Sequence, residues 1–123
     1  MSIMWFIVVA IITVIYLSGG LILKKTATSK PNALIGYRTR RSSASCQAWN
    51  YANSLAGKLL FGVGTFTLLV GLLMLVLLRN SSEQQVATWV IVHTYLSVIL
   101  LFVIIIITEL NLRKKYDKNG KEK

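Results

Sequence analysis

Three uninterrupted apolar runs dominate the chain: residues 3–23, 59–78 and 86–108 contain no Asp, Glu, Lys or Arg. Each supplies the roughly 20 apolar residues that a helix rising about 1.5 Å per residue needs to cross the hydrocarbon core of a bilayer. The pattern therefore predicts an all-α membrane protein. Its segments are a first transmembrane helix (1–23), a polar, basic loop (24–58), a second transmembrane helix (59–78), a short outer loop (79–85), a third transmembrane helix (86–108) and a basic tail (109–123). The first run lacks a basic n-region and has no A-x-A-like site after it, so it reads as a span and not as a cleaved signal peptide.

The long loop changes period along its length. Its start is polar and closes on Pro31, the only proline, which disfavours helix at Lys30. Gly36, between Ile35 and Tyr37, argues for a tight, non-helical turn at the membrane surface. Ser42 or Ser43 is a fitting N-cap. From there Ala44, Ala48, Ala52 and Leu55 recur at helical spacing, flanked by Trp49 and Tyr51, aromatic residues suited to the headgroup level. A short interfacial amphipathic helix over residues 45–58 is expected, bending near Gly57 into the second span. The pattern leaves open whether it lies flat or extends that span.

The spans carry stripes of small and weakly polar residues, the packing seams expected where lipid gives no hydrophobic drive for helix association. Thr13, Tyr16 and Gly20 form one on the first span. Gly57, Gly64 and Gly71 form one on the second. Trp89, His93, Ser97, Ile104 and Thr108 form one on the third. The tail after Leu112 is expected to be disordered at its end.

Charge then orients the pattern. The chain has a formal net charge of +10, with Lys24, Lys25, Lys30, Arg38, Arg40, Arg41 and Lys58 and no acid between the first two spans. The tail adds Arg113, Lys114, Lys115, Lys118, Lys121 and Lys123. Positive segments stay inside, which puts loop and tail in the cytoplasm and the amino terminus outside. Three spans require loop and tail to share a side, so span count and charge agree. Most of these cations lie near span ends, where anionic lipids and topology account for them; direct nucleic-acid binding is not indicated.

Candidate chemistry is sparse. One His and four acids assemble neither a paired-carboxylate centre nor a metal site, and no phosphate-cradling Gly-Lys-Ser/Thr loop occurs. No enzyme, cofactor or metal is expected. The lone Cys46 excludes an intramolecular disulfide. His93, inside the third span, is either a proton or ligand site or one end of an interhelical hydrogen bond to Tyr16, Thr65 or Thr67. Glu109 reads as an interfacial carboxylate paired with loop cations. The Arg38 guanidinium suits a lipid phosphate, a peptide carboxylate or a helix carboxyl end.

The run Asn32, Ile35-Gly36-Tyr37-Arg38-Thr39 and Ser42, followed by Trp49 and Ala52-Asn53, resembles the signature of the SdpI family, and the chain would be a short, three-span member. Arg40 stands where that family often has Pro, and Ser45, Cys46 and Gln47 stand where acids often precede the Trp. The resemblance implies a bacterial plasma-membrane immunity protein that binds a hydrophobic peptide toxin without chemistry, and a cytoplasmic transcriptional repressor as a further partner. By position it singles out Asn32, Gly36, Tyr37, Arg38, Thr39, Trp49 and Asn53. Gly36 would shape the loop and Trp49 would anchor the short helix. Asn32, Arg38, Thr39 and Asn53 would fix loop against helix. Two other classes stay open: a small transporter or channel component, a homo-oligomer with His93 on its path, and a membrane signalling scaffold.

Overall fold

The computed structural model describes residues 3–123; residues 1 and 2, counted above with the first span, lie outside the described residues. Three helices make up the bundle: α1 (Ile3–Thr26), α2 (Cys46–Leu77) and α3 (Glu83–Lys115). All three are long and apolar enough to cross a membrane, which makes this a multi-pass membrane protein. Sequence order forces an alternating course. α1 and α3 run one way and α2 the other, so the loop between α1 and α2 and the tail after α3 meet at one end of the bundle, the loop end.

At 32 residues, α2 is about 48 Å long, against about 30 Å of hydrocarbon. Its first turns therefore stand outside the apolar layer. Those turns are the segment expected as a separate interfacial helix; here they belong to α2, which continues through Gly57 without a break. The reason is packing: Ala48, Trp49, Ala52, Asn53, Ala56 and Gly57 are buried on the same side as Gly64 and Gly71 further along. One continuous stripe keeps one continuous helix. The N-cap is Ser45, whose hydroxyl accepts from Ala48 N–H, and not Ser42 or Ser43. α3 starts on a capping box formed by Ser82 and Gln85.

The interior is small and polar while the outside is apolar, the inverse of a water-soluble bundle. Thr13, Tyr16, Gly20, Thr67, His93, Ser97, Ile104 and Thr108 are buried, whereas Phe6, Val14, Phe66, Phe102 and Ile106 are each more than half exposed. The lipid-facing surface is thereby defined. Trp89 departs from its expected stripe and is 44% exposed. α1 and α2 pack most closely where glycines face each other. A Cβ on Gly20 would stand 2.9 Å from the Gly57 carbonyl oxygen, and one on Gly57 would stand 2.9 Å from that of Gly20. Further along, a Cβ on Gly71 would strike Val9 at 2.5 Å.

α3 is held by polar contacts. The Tyr16 hydroxyl donates to the Ser97 carbonyl, and the His93 ring lies against Trp5 with centroids 5.4 Å apart. The partners expected for His93 are occupied elsewhere: Thr65 and Thr67 donate to carbonyls of their own helix. Trp5 Nε1 donates to the Gly71 carbonyl across the α1–α2 seam at 3.1 Å.

The tail is ordered, contrary to expectation. Tyr116 bridges Glu122, the Asp117 carboxylate accepts from the Asn119 and Lys121 N–H groups, and Gly120 turns the chain at a φ of 78°. Those N–H groups, that of Lys121 foremost, lower the Asp117 pKa. Ser45 Oγ donates to the Gly120 carbonyl at 2.6 Å and Arg41 donates to the Tyr116 carbonyl at 2.9 Å. These two bonds dock the tail on the start of α2.

Substituting Val at Gly20 or Gly57 is expected to destabilise the bundle by about 1–3 kcal/mol, because backbone on the facing helix cannot yield as a side chain would. Gly62, with open space around its missing Cβ, is the control: Gly62→Ala should be neutral or stabilising by up to about 1 kcal/mol. Thermal unfolding in detergent reads both.

Candidate functional site: the loop clasp

The residues singled out in the loop converge on one small region where all three helices are tied together. Its centre is Asn53, fully buried on α2. Asn53 Oδ1 accepts the Tyr37 N–H at 2.7 Å, and Asn53 Nδ2 donates to the Trp49 carbonyl at 3.0 Å. One side chain thus satisfies loop backbone and fixes its own rotamer against its helix. One turn earlier, Trp49 is also fully buried. Its Nε1 donates at 3.1 Å to the carbonyl of Thr26, the last residue of α1. A helix ends with carbonyls that lack intrahelical partners, and the Trp49 indole joins the Ser29 N–H and hydroxyl as donors to this one. This differs from a headgroup-level anchor: the ring is sealed inside protein and its polar atom serves a helix terminus.

Gly36 makes that geometry possible. Its φ is +123°, a backbone region L side chains rarely adopt. A Cβ there would stand 2.7 Å from Thr26 Cγ2, 2.8 Å from Asn53 Oδ1 and 2.9 Å from Trp49 Cζ2. The loop lies directly on the helix pair because this position has no side chain.

Tyr37 carries the tie onward to α3. Its backbone N–H bonds Asn53, and its hydroxyl donates to Glu109 Oε2 at 2.8 Å. Burial raises the Tyr37 pKa above its ordinary value, and the neighbouring Glu109 carboxylate raises it further. Glu109, expected to pair with loop cations, serves as the acceptor of this phenol.

The remaining motif residues act within the loop. Asn32 Oδ1 accepts from the Leu34 and Ile35 N–H groups, closing a turn on itself. Thr39 and Ser42 exchange bonds: Ser42 Oγ accepts from Thr39 N–H, and Thr39 Oγ1 from Ser42 N–H. Ser42, fully buried, also donates to the Tyr37 carbonyl at 3.0 Å. The Arg38 guanidinium donates to the Ala33 carbonyl in the same loop and is otherwise exposed. Asn53 alone of the four polar residues expected to fix loop against helix spans the two. Asn32, Arg38 and Thr39 are short-range because each has a free backbone partner within five residues.

Sequence reasoning missed Thr26 and the Tyr37–Glu109 bond. Thr26 contributes a backbone carbonyl, for which side-chain identity gives no signal. Glu109 had one, as the single acid at the loop end of an otherwise uncharged span. His93 lies apart from the clasp, buried beside Trp5, with its Nε2 lacking a partner among the described residues. The described residues contain no group of three or more His, Cys, Asp or Glu placed to hold a metal.

Gly36→Ala combines a disfavoured backbone with three short contacts and should cost at least about 1–3 kcal/mol. Asn53→Ala should cost about 1–3 kcal/mol by orphaning the Tyr37 N–H. Both should speed proteolysis of the loop in detergent while leaving the membrane helices intact. The raised Tyr37 pKa sets a pH sign. The neutral phenol is favoured in the folded state, so its contribution is complete below the ordinary value of 10.0 and is lost as pH climbs from there toward the folded value. Thermal unfolding between pH 8 and pH 11, on this reasoning from linkage, should fall more steeply for the wild type than for Tyr37→Phe.

No curated protein and no solved structure matches the chain. The family model for the SdpI/YfhL protein family matches residues 28–108, which take in the whole clasp loop, α2 and most of α3. Those residues make up well over half of the 123-residue chain, and the protein belongs to the SdpI/YfhL family.

Proposed function

We propose that this protein is an integral membrane immunity protein of a bacterial plasma membrane, giving resistance to a secreted hydrophobic antimicrobial peptide by binding without catalysis. The observation that carries the reading is family membership over residues 28–108. Two structural features support it. The clasp holds the loop rigidly against the bundle, so Arg38 is presented to solvent with only the Ala33 carbonyl as a partner and keeps donors for a peptide carboxylate. Beside it, the exposed apolar helix faces offer a membrane peptide a matching surface. In this reading loop and tail face the cytoplasm. Their cations are then placed to recruit a transcriptional repressor when the peptide is present. A transporter built around His93 is less well supported, because that ring packs against Trp5 of its own bundle and not on an outer face.

Expression in a peptide-sensitive bacterium should raise survival, and Arg38→Ala should abolish the gain with membrane insertion unchanged. Equal survival with and without the protein, over a panel of hydrophobic peptides, would overturn the reading. The orientation has its own test. Cys46 is exposed, so a membrane-impermeant maleimide should label it only after cells are opened. Labelling in intact cells would reverse the assigned sidedness.

A further inference from the structure

At the loop end, a cavity of about 460 Å³ is lined by Arg40, Arg41, Glu109, Arg113, Lys118 and Asn119. Its volume lies within the range of small-molecule sites. The lining comes from three separate segments: the loop just after the motif, the last turns of α3, and the turn of the tail. Nothing local in the chain brings these cations together, and bringing four of them around one space costs repulsion. The fold nonetheless fixes them. Arg41 is pinned by its bond to the Tyr116 carbonyl. Arg113 is one turn from Glu109 on the same helix face, and Glu109 is held by the Tyr37 hydroxyl. Lys118 and Asn119 sit in the turn closed by Asp117.

Four cations against one carboxylate leave the cavity three charges positive. The side chains of Arg40, Arg113 and Lys118 make no hydrogen bond or ion pair among the described residues, and the Asp117 carboxylate, next to Lys118 in sequence, accepts from backbone N–H groups. The guanidinium forks are therefore free, and the geometry they suit is a phosphate or a carboxylate. Position selects between sources. The cavity lining includes Glu109, directly after the apolar run of α3, and the outward face of α3 around that point carries Ile105, Ile106 and Leu110, all exposed. A ligand with a phosphate in the cavity and acyl chains along that face fits both surfaces at once.

We propose that this cavity is a binding site for an anionic phospholipid, with the headgroup phosphate on Arg40, Arg41 and Arg113. The site shares Glu109 with the clasp but takes its cations from outside it, and it does not depend on toxin binding. It gives the ordered tail a purpose: the tail turn contributes Lys118 and Asn119 to the cavity wall.

The test is native mass spectrometry of the full chain released from detergent, titrated with phosphatidylglycerol or with phosphatidylcholine. The wild type should retain phosphatidylglycerol in preference to phosphatidylcholine. The double variant Arg40→Gln/Arg113→Gln should lose that preference by about tenfold or more, as the loss of two charged hydrogen-bonding groups implies. Lys25→Gln/Lys30→Gln, which removes equal charge from exposed positions elsewhere in the loop, should change it less than about twofold. Matching thermal unfolding for the two variants excludes misfolding as the cause. Equal loss in both variants would reduce the effect to diffuse attraction between a basic loop and headgroups, and would overturn the site. Displacement of the lipid by inorganic phosphate or glycerol phosphate at concentrations near those of the lipid would overturn the lipid assignment in favour of a soluble anion.

Discussion

The contact between Gly36 and the buried pair Trp49–Asn53 is the constraint on which the loop end of the molecule depends. Two long helices crossing at glycines need no special chemistry within the bilayer, where close backbone approach and dispersion hold them. Outside it they emerge into headgroups and water, with carbonyls at the end of α1 to satisfy and a long polar loop to order. Trp49 and Asn53 solve both problems from adjacent turns of α2. The indole caps α1, and the amide accepts the loop backbone. Neither works unless the chain passes directly over the rings. That needs a residue without a Cβ at φ +123°.

From that contact the order propagates outward. Once Gly36 is seated, Tyr37 has only one direction in which to point, and its hydroxyl reaches Glu109 on α3. Ser42 then closes the loop back on the Tyr37 carbonyl, which places Arg41 against the tail. Ser45 next serves as N-cap and tail anchor together. The neutral bonds are worth about 0.5–1.5 kcal/mol net each, and those that involve the Glu109 carboxylate or the Arg41 guanidinium about 1.5–3 kcal/mol. Their effect lies in sequence, since each fixes the donor of the next. A break early in that series frees more of the loop than one late in it.

Much of this was legible in the sequence. Three uncharged runs of spanning length give three helices without further argument, and the small-residue stripes at Gly57, Gly64 and Gly71 give the α1–α2 seam. The motif residues Gly36, Tyr37, Trp49 and Asn53 do converge. What sequence could not give was the partner of each. A backbone carbonyl such as that of Thr26 is present at every position and marks none. The continuity of α2 was hidden for a different reason. Polar residues at 45–58 break the apolar run, but the helix answers to its buried face, and that face of Ala, Trp, Asn and Gly is unbroken. The tail misled for a third reason. Its composition is that of a disordered end, yet Asp117 and Gly120 set a turn, and Tyr116 at its base is buried against Ala48, Ala52 and Leu112.

Lipid-facing helices explain why the molecule spends its polar residues as it does. In the bilayer core, outward positions are apolar by necessity, so they cannot distinguish this protein from another of equal length. Specific recognition must come from the ends, where side chains with fixed donors can be displayed. The clasp is buried and its polar atoms are largely used up on one another: Asn53, Trp49, Ser42 and the Tyr37 hydroxyl all have partners. Such residues shape a surface and do not form it. The groups left facing outward at the loop end include cations, Arg38 on one part of the loop and Arg40 and Arg113 on the cavity wall, beside the exposed Leu34 and Ile35. On the proposed reading, the motif gives the basic loop a fixed backbone from which its guanidinium groups project. An array held by a rigid loop loses less side-chain and backbone freedom on meeting an anion than a flexible one would.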